Sequence, residues 1–190
     1  MRKLVYGVGI NDADYPISET INSKQVLCPI YKIWFSMLKR CYAWDRDSTY
    51  SSYEGCEVCD EWLYFSKFKH WMDRQDWYGM ELDKDIINPG NKVYSPENCA
   101  FIDGYVNKFI LQGVRGNSKE VAGFYFSKQM GKYYAQCSNP FTKKRVSLGY
   151  HDDEISAHNA WKSKKREFAN LIADYQTDDR VAKGLRIRYE

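Results

Sequence analysis

The sequence is poor in glycine and proline, with 12 and 5 of its 190 residues, and it contains three histidines. Such a composition excludes a collagen-like or low-complexity chain, so we expect a globular protein of one ordinary domain or two small ones. No apolar run approaches the roughly 18 residues that a membrane-spanning helix needs. No apolar stretch follows Arg2 and Lys3 as it would in a secretory signal. We therefore expect a cytoplasmic protein that does not span a membrane.

Six cysteines are present. In a reducing compartment we expect them to remain thiols, without a structural disulfide. Cys56 and Cys59 form a CxxC pair, which is the spacing of two zinc ligands. Because no second pair has matching spacing, we do not expect zinc there, and the thiols are then small buried side chains.

Two features of the composition stand out, the aromatic content and the distribution of charge. Aromatic residues make up 16% of the chain, which suits either an aromatic core or a surface that stacks on a partner. Residues 1–112 carry 13 Lys and Arg against 16 Asp and Glu, a net charge of −3, whereas residues 113–190 carry 15 against 9, a net charge of +6. The second part therefore favours a polyanionic partner.

The first segment reads as two helices with an apolar face. Between Pro29 and Cys41 the apolar residues recur every three or four positions, which predicts a helix. Between Asp60 and Trp71 the aromatic residues Trp62, Phe65, Phe68 and Trp71 recur in the same way. We interpret both stripes as core, because a helix of this length must bury one face.

The second segment predicts a compact ββα unit. Residues 80–87 and 92–94 read as strands, residues 88–91 (NPGN) as the turn between them, and residues 103–111 as a helix. Asp83 and Asp85 lie on one face of the first strand, where paired carboxylates suit a hard cation such as Mg²⁺. A charged edge strand is the alternative. The next residues, 113–119 (GVRGNSK), have no pattern and are interpreted as a linker.

The third segment predicts three short strands and a long helix. Apolar and polar residues alternate over residues 123–128, 132–138 and 144–150, and an amphipathic stretch covers residues 154–172. The helix can cover the apolar face of a three-stranded sheet. The other face would fit the major groove of DNA, where such side chains reach base edges and phosphates. That face carries Lys128, Lys132, Tyr134, Gln136, Arg145 and Ser147.

Residues 120–176 resemble the ethylene-response-factor (APETALA) type DNA-binding domain. The resemblance rests on the runs GFYF from Gly123, GKYYAQ from Gly131 and RVSLGY from Arg145, followed by the helix from Glu154. In that family the three-stranded sheet lies in the major groove and the helix packs behind it. The resemblance implies DNA contacts from Lys132, Tyr134, Gln136, Arg145 and Ser147. The sequence departs from the family at Ser138 and Ser147, where the family usually has Arg and Trp.

Residues 1–112 resemble a phage group of HNH endonucleases that is found joined to such a domain. The matching series is WFSMLKRCY, YEGCEVCDEW, residues 65–72, LDKD and YSPENC, followed by Asn107. In HNH enzymes a ββα unit holds one divalent metal, here Mg²⁺ or Mn²⁺. The resemblance implies that Asp83 and Asn107 are metal ligands and that Asn98 fixes the turn.

The catalytic histidine of HNH enzymes is replaced by Lys84. Histidine accepts a proton near its pKa of ~6.5, whereas lysine titrates near ~10.4 and is a poor base. Three alternatives follow: Asp85 or a metal-bound hydroxide replaces the imidazole, His70 enters the site, or the unit only binds DNA through contacts such as Lys84 to phosphate.

We therefore expect an α+β protein in two parts. A helical module with the HNH-like ββα unit spans residues 1–112, and a three-stranded antiparallel sheet packed on one helix spans residues 120–176. The basic tail, residues 177–190, is either a disordered arm or a strand. The expected function is a homing-type endonuclease on double-stranded DNA; the alternatives are an inactive DNA-binding regulator and a protein that engages a host factor. The oligomeric state stays open.

Overall fold

The computed structural model describes residues 3–43, 45–111 and 123–190. The chain forms two compact units, Met1–Phe101 and Ile102–Glu190. The predicted linker, residues 113–119, lies outside the described residues. Both helices and strands are present, including a three-stranded antiparallel sheet, so the predicted α+β class is confirmed. Within the described part of the chain, no helix has the length and apolar character needed to cross a bilayer.

The first unit is built around two helices. Helix α1 spans Pro29–Tyr42 and α2 spans Phe65–Met72. Two 3-10 helices, Ser48–Tyr53 and Asp60–Leu63, connect them. Three pairs of short strands complete the unit. They are β1 (Ser18–Ile21), β2 (Lys24–Leu27), β3 (Glu57–Val58), β4 (Glu81–Asp83), β5 (Val93–Tyr94) and β6 (Ala100–Ile102), the last of which ends at the border with the second unit.

The core of the first unit is aromatic, as the two stripes predict. Trp34 of α1 is fully buried, and its indole N–H donates to the carbonyl of Trp62 at 2.7 Å. The ring of Trp62 packs against Phe68 and Trp71 with centroids 5.0 and 4.5 Å apart. The second predicted helix is in fact interrupted at Tyr64, whose extended backbone separates the 3-10 turn from α2. The side chains still share one buried face, because both pieces pack on α1.

The strand pairing of the predicted ββα unit was wrong in one respect. Residues 93–94 do form a strand, but β5 pairs in parallel with β3. The partner of β4 is β6, which the sequence pattern did not identify, and helix α3 (Gly104–Leu111) follows it. Residues 88–91 form the predicted turn, closed by the amide of Asn91 donating to the carbonyl of Asn88 at 3.0 Å. The first predicted strand, residues 80–87, is shorter in the structure, where β4 spans only Glu81–Asp83.

The second unit contains the predicted sheet and helix. Strands β7 (Phe124–Ser127), β8 (Lys132–Ser138) and β9 (Arg145–His151) form an antiparallel sheet in that order. Helix α4 (Glu154–Ala173) begins at Asp153, whose carboxylate accepts from the amide of Ser156 at 2.8 Å. Phe124 and Ala135 of the sheet pack against Ala157 of α4. This packing covers one face of the sheet.

The basic tail is neither a strand nor an irregular arm. Residues Asp179–Ile187 form helix α5, which begins at Asp178, whose carboxylate accepts from the amide of Arg180 at 2.9 Å. Val181 and Leu185 are buried, and α5 packs on α4. Part of the basic charge of this segment is paired within the unit, since Arg186 binds Asp174 at 2.6 Å and Arg180 binds Asp178 at 2.8 Å.

Candidate functional site

The outer face of the sheet, opposite α4, collects most of the predicted DNA-binding residues. Partners in an antiparallel pair point to the same side of the sheet. Tyr134 pairs with both Tyr125 and Tyr150, Gln136 pairs with Ser147, and Ser138 pairs with Arg145. Since side chains alternate along β8, Lys132 lies on the same face, opposite Ser127. The structure therefore brings together Lys132, Tyr134, Gln136, Arg145 and Ser147.

A β-bulge preserves this arrangement along β9. Ala135 pairs with Gly149 and the next residue, Gln136, pairs with Ser147, so Leu148 is the extra residue. Gly149 has a φ of 90°, which favours glycine at this position. The insertion turns Leu148 toward the core, where it packs with Phe124 and Ala135, and keeps Ser147 on the outer face.

Tyr125 and Tyr150, which were not predicted as site residues, join Tyr134 to form a row across the three strands. We call Tyr125, Tyr134 and Tyr150 the tyrosine row. The ring centroids of Tyr125 and Tyr134 are 5.5 Å apart, and those of Tyr134 and Tyr150 are 5.0 Å apart. Tyr125 and Tyr150 are 45% and 47% exposed. Strand alternation could have assigned both residues to the outer face, but their alignment depends on the register.

Cations surround the tyrosine row. Lys132 pairs with Asp152 at 2.9 Å, and both side chains are exposed. Lys128 is exposed in the turn between β7 and β8. The connection between β8 and β9 adds Lys143 and Lys144 next to Arg145; we call these three residues the tip cations. All three are exposed, and within the described ranges none of them forms an ion pair.

The tip cations are held by an ordered turn. The side-chain oxygen of Asn139 accepts from the amides of Phe141 and Thr142 at 2.9 and 3.0 Å, and the amide of Asn139 donates to the carbonyl of Lys144 at 2.8 Å. Lys143 adopts a left-handed backbone conformation with a φ of 60°. Three neighbouring positive charges are therefore presented from a fixed hairpin. Lys143 lies between two predicted strands and Lys144 begins the second of them, residues 144–150, but neither was predicted as a site residue.

The second predicted site lies in the first unit, where Lys84 is buried rather than poised at a surface. Its side-chain ammonium donates to both carboxylate oxygens of Asp85, at 2.9 Å each, and to the carbonyl of Asn91 at 2.7 Å. These three acceptors match the three N–H donors of an ammonium group. The nitrogen also lies 5.9 Å from the ring of buried Tyr94. This arrangement occupies the three donors with which Lys84 would bind a phosphate.

Asp83 ends β4 and shapes the chain that follows it. Its Oδ1 accepts from the amides of Asp85 and Ile86, at 2.9 and 2.7 Å. The predicted turn residue, Asn98, accepts from the side chain of Asn88 at 2.8 Å. Asn91 donates to the carbonyls of Lys84 and Val93. Asp83, Lys84, Asp85 and Asn98 thus belong to one loop structure of the first unit, whereas Asn107 lies on α3 of the second unit.

Some of the oxygen ligands that these residues could offer a metal already have partners within the protein. Mg²⁺ requires negatively charged or neutral oxygen ligands in near-octahedral geometry. The carboxylate of Asp85 is bound by the Lys84 ammonium, which repels a cation, and one oxygen of Asp83 is used by two backbone amides. In the described part of the chain no three His, Cys, Asp or Glu side chains cluster as metal ligands would. His70, one alternative for the missing base, is exposed on α2.

The two cysteines of the CxxC pair flank β3. Cys56 is buried, Cys59 is half-buried, and both are free thiols. Burial raises the pKa of Cys59 above its ordinary value, and it raises the pKa of the neighbouring Cys41 to about 12. These surroundings favour the thiol over the thiolate at Cys41 and Cys59.

Comparisons with protein-family models, with curated proteins and with solved structures find no match.

Proposed function

We propose that this protein binds double-stranded DNA through the outer face of the sheet formed by β7, β8 and β9. The observation that carries the proposal is the composition of that face. It combines Gln136, Ser147, Lys132 and Arg145, with Lys143 and Lys144 in the adjoining turn, while α4 covers the opposite face. The Lys84–Asp85 ion pair favours binding without cleavage over hydrolysis.

Charge gives the face its affinity for a polyanion. DNA binding is driven largely by lysine and arginine side chains that replace the counterions of phosphates. The tip cations have no carboxylate partner within the described residues, so no intramolecular ion pair has to break before they bind phosphate. Lys132 and Asp152 are exposed, and a pair of this kind contributes at most about 1 kcal/mol. Lys132 can therefore exchange Asp152 for a phosphate.

Polar side chains on the face provide contacts to bases. A sheet can enter the major groove, where arginine binds guanine, glutamine binds adenine, and serine binds several bases. Arg145, Gln136 and Ser147 lie on neighbouring strands of one face. Lys128 lies in the turn beyond β7, where a phosphate contact would fix the orientation of the sheet.

The proposal is tested by fluorescence anisotropy with a labelled DNA duplex. We expect the double variant Lys132→Ala/Arg145→Ala to weaken binding by at least about tenfold at low salt, because two phosphate or base contacts are removed. Lys32→Ala/Lys67→Ala, which removes two exposed lysines of the first unit, is the matched control and should bind within about twofold of the unchanged protein. Equal losses in the two variants would contradict the assignment. Absence of duplex binding would favour the alternative of a protein partner.

Hydrolysis of DNA at Asp83 stays a second prediction. The observation that favours it is the order of elements. Strand β4 ends at Asp83 and pairs with β6, and β6 is followed by α3. If the site hydrolyses DNA, supercoiled plasmid is nicked with Mg²⁺ or Mn²⁺, and Asp83→Ala and Asn107→Ala each abolish nicking. Duplex binding without nicking under either metal would leave the first unit without a catalytic role.

A further inference from the structure

We propose that the tyrosine row stacks on unpaired bases, so that the outer face binds single-stranded DNA at least as tightly as duplex DNA. This inference rests on the proposed function, because it assigns a second form of DNA to the same face. It concerns the tyrosine row, in which Tyr125 and Tyr150 are not among the expected duplex contacts.

The geometry of the row suits stacking. The three rings lie side by side across three strands, with centroid separations of 5.5 and 5.0 Å. The two outer rings remain nearly half exposed although they contact the central one. Stacking needs an aromatic surface that is open to the ligand and fixed in position, and strands at a sheet surface provide this. A row of three such rings offers room for successive bases.

The row is not needed for the core of the unit. The aromatic residues that pack toward α4 are Phe124 and Tyr133, on the opposite face of the same strands. A second aromatic layer on the open face leaves apolar ring surface in water, which is unfavourable unless a partner covers it. A nucleobase covers a ring without requiring a particular hydrogen-bonding pattern.

Positive side chains lie on both sides of the tyrosine row, as the phosphates of a DNA strand require. Lys132 lies on β8 two residues before Tyr134, at a distance of ~7 Å along the strand. Arg145 pairs with Ser138, which lies four residues after Tyr134, or ~13 Å along the strand. The backbone of a strand whose bases lie on the tyrosines then meets positive charge at either end. The charge of the face thus complements a nucleic acid rather than an apolar peptide.

Duplex and single strand make different use of these residues. In a duplex the base faces are stacked on one another and only the base edges are accessible in the grooves. Unpaired bases expose their faces, so only the single strand gains from the rings. Cation variants should therefore weaken both forms, whereas tyrosine variants should weaken the single strand selectively.

The test measures anisotropy of a fluorescein-labelled 15-nucleotide strand and of its duplex with the full-length protein. We expect Tyr125→Leu/Tyr150→Leu to lower single-strand affinity by at least about tenfold and to change duplex affinity by less than about threefold. Tyr125→Phe/Tyr150→Phe should keep single-strand affinity within about threefold, because the ring is retained. Tyr175→Leu, which removes a 76% exposed tyrosine of the same unit, is the control. Circular dichroism checks that each variant is folded, and Tyr150→Leu alone provides a milder second variant.

The outcomes separate this inference from the proposed function. Unchanged single-strand affinity in the leucine variants, or weaker binding of the single strand than of the duplex by the unchanged protein, would overturn this inference while duplex binding stands. A parallel loss for both forms would mean that the tyrosines contact the duplex and would also overturn it. Failure of the unchanged protein to bind either form would overturn the proposed function itself.

Discussion

The ammonium group of Lys84 lies 2.9 Å from both carboxylate oxygens of Asp85, and the lysine is only 6% exposed. Lys84 is therefore a buried residue whose three donors are all used within the first unit. A third hydrogen bond, to the carbonyl of Asn91, connects it to the strand that follows the turn. This ion pair and the hydrogen bond to Asn91 stabilise the loop between β4 and β5.

Lys84→Ala should destabilise the first unit. The substitution leaves the Asn91 carbonyl and the Asp85 carboxylate without the Lys84 donor, so we expect a loss of about 1–3 kcal/mol in the free energy of unfolding. Urea denaturation measures it. The control is Lys69→Ala, which breaks an exposed helical pair with Asp73 and should cost less than about 1 kcal/mol. Equal costs for the two variants would show that the Lys84 side chain contributes no more than a surface ion pair does.

We expect Lys165 to make the stability of the second unit depend on pH. It is fully buried on α4, donates to the carbonyl of Phe109 at 2.5 Å and lies 3.4 Å from the centroid of the Phe109 ring. Burial lowers the pKa of Lys165 to about 8; Cys137 opposes this shift and Arg188 adds to it. Below about pH 8 both folded and unfolded chains carry the proton and the full cost of burying the charge applies. Between about pH 8 and pH ~10.4 only the unfolded chain keeps the proton on this lysine. The contribution of Lys165 to the free energy of unfolding therefore rises with pH over this range.

The Lys165→Met variant isolates this effect. The difference in unfolding free energy between the unchanged protein and the variant should shift by roughly 2–3 kcal/mol in favour of the unchanged protein between pH 7 and 10. Subtraction removes the titration of the cysteines and tyrosines, which both proteins share. Lys183→Met, at an exposed position of α5, should show no such slope. A flat difference for Lys165→Met would contradict the buried, desolvated state of this lysine.

Gly123, just before β7, lies close against Trp161 of α4. Its φ is 90°, and a Cβ added there would lie 1.8 Å from an indole carbon of Trp161. Gly123→Ala should therefore destabilise the protein by about 3 kcal/mol or more, because both the backbone and the indole have to move. Gly131→Ala has a similar φ of 61° but open space around the added carbon, so we expect a cost of only about 1–2 kcal/mol. Thermal unfolding distinguishes them, and equal shifts in Tm would contradict the close approach of Trp161.

Hydrophobic periodicity predicted the parts of the fold that depend on local sequence. The stripe that contains Trp34 gave α1, and the alternation around Tyr134 gave the central strand of the sheet. The partner of β4 was not predictable in this way, since residues 93–94 and 100–102 are both short and apolar. Their pairing is decided by where β3 lies, which is a tertiary property. Helix α5 did carry a local signal, an Asp178 cap before buried Val181 and Leu185, which the basic charge of the segment concealed.

The candidate site was predictable to a similar extent. Alternation assigned Lys132 and Gln136 to one face, but the alignment of Tyr125 with Tyr150 needs the register and the bulge at Leu148. The burial of Lys84 depends on a carbonyl seven residues away, that of Asn91. No sequence spacing specifies such a contact.

The salt dependence of duplex binding tests the central claim most directly. We would measure affinity by anisotropy over a range of salt concentrations for the unchanged protein, for Lys143→Ala/Lys144→Ala/Arg145→Ala, and for the charge-matched Lys24→Ala/Lys32→Ala/Lys67→Ala. If the outer face and its tip cations bind phosphates, the plot of log affinity against log salt becomes less steep in Lys143→Ala/Lys144→Ala/Arg145→Ala. The magnitude of its slope should decrease by about 1 for each phosphate that this variant no longer neutralises, and it should be unchanged in Lys24→Ala/Lys32→Ala/Lys67→Ala. The same slope in all three proteins would contradict the assignment of DNA binding to this face.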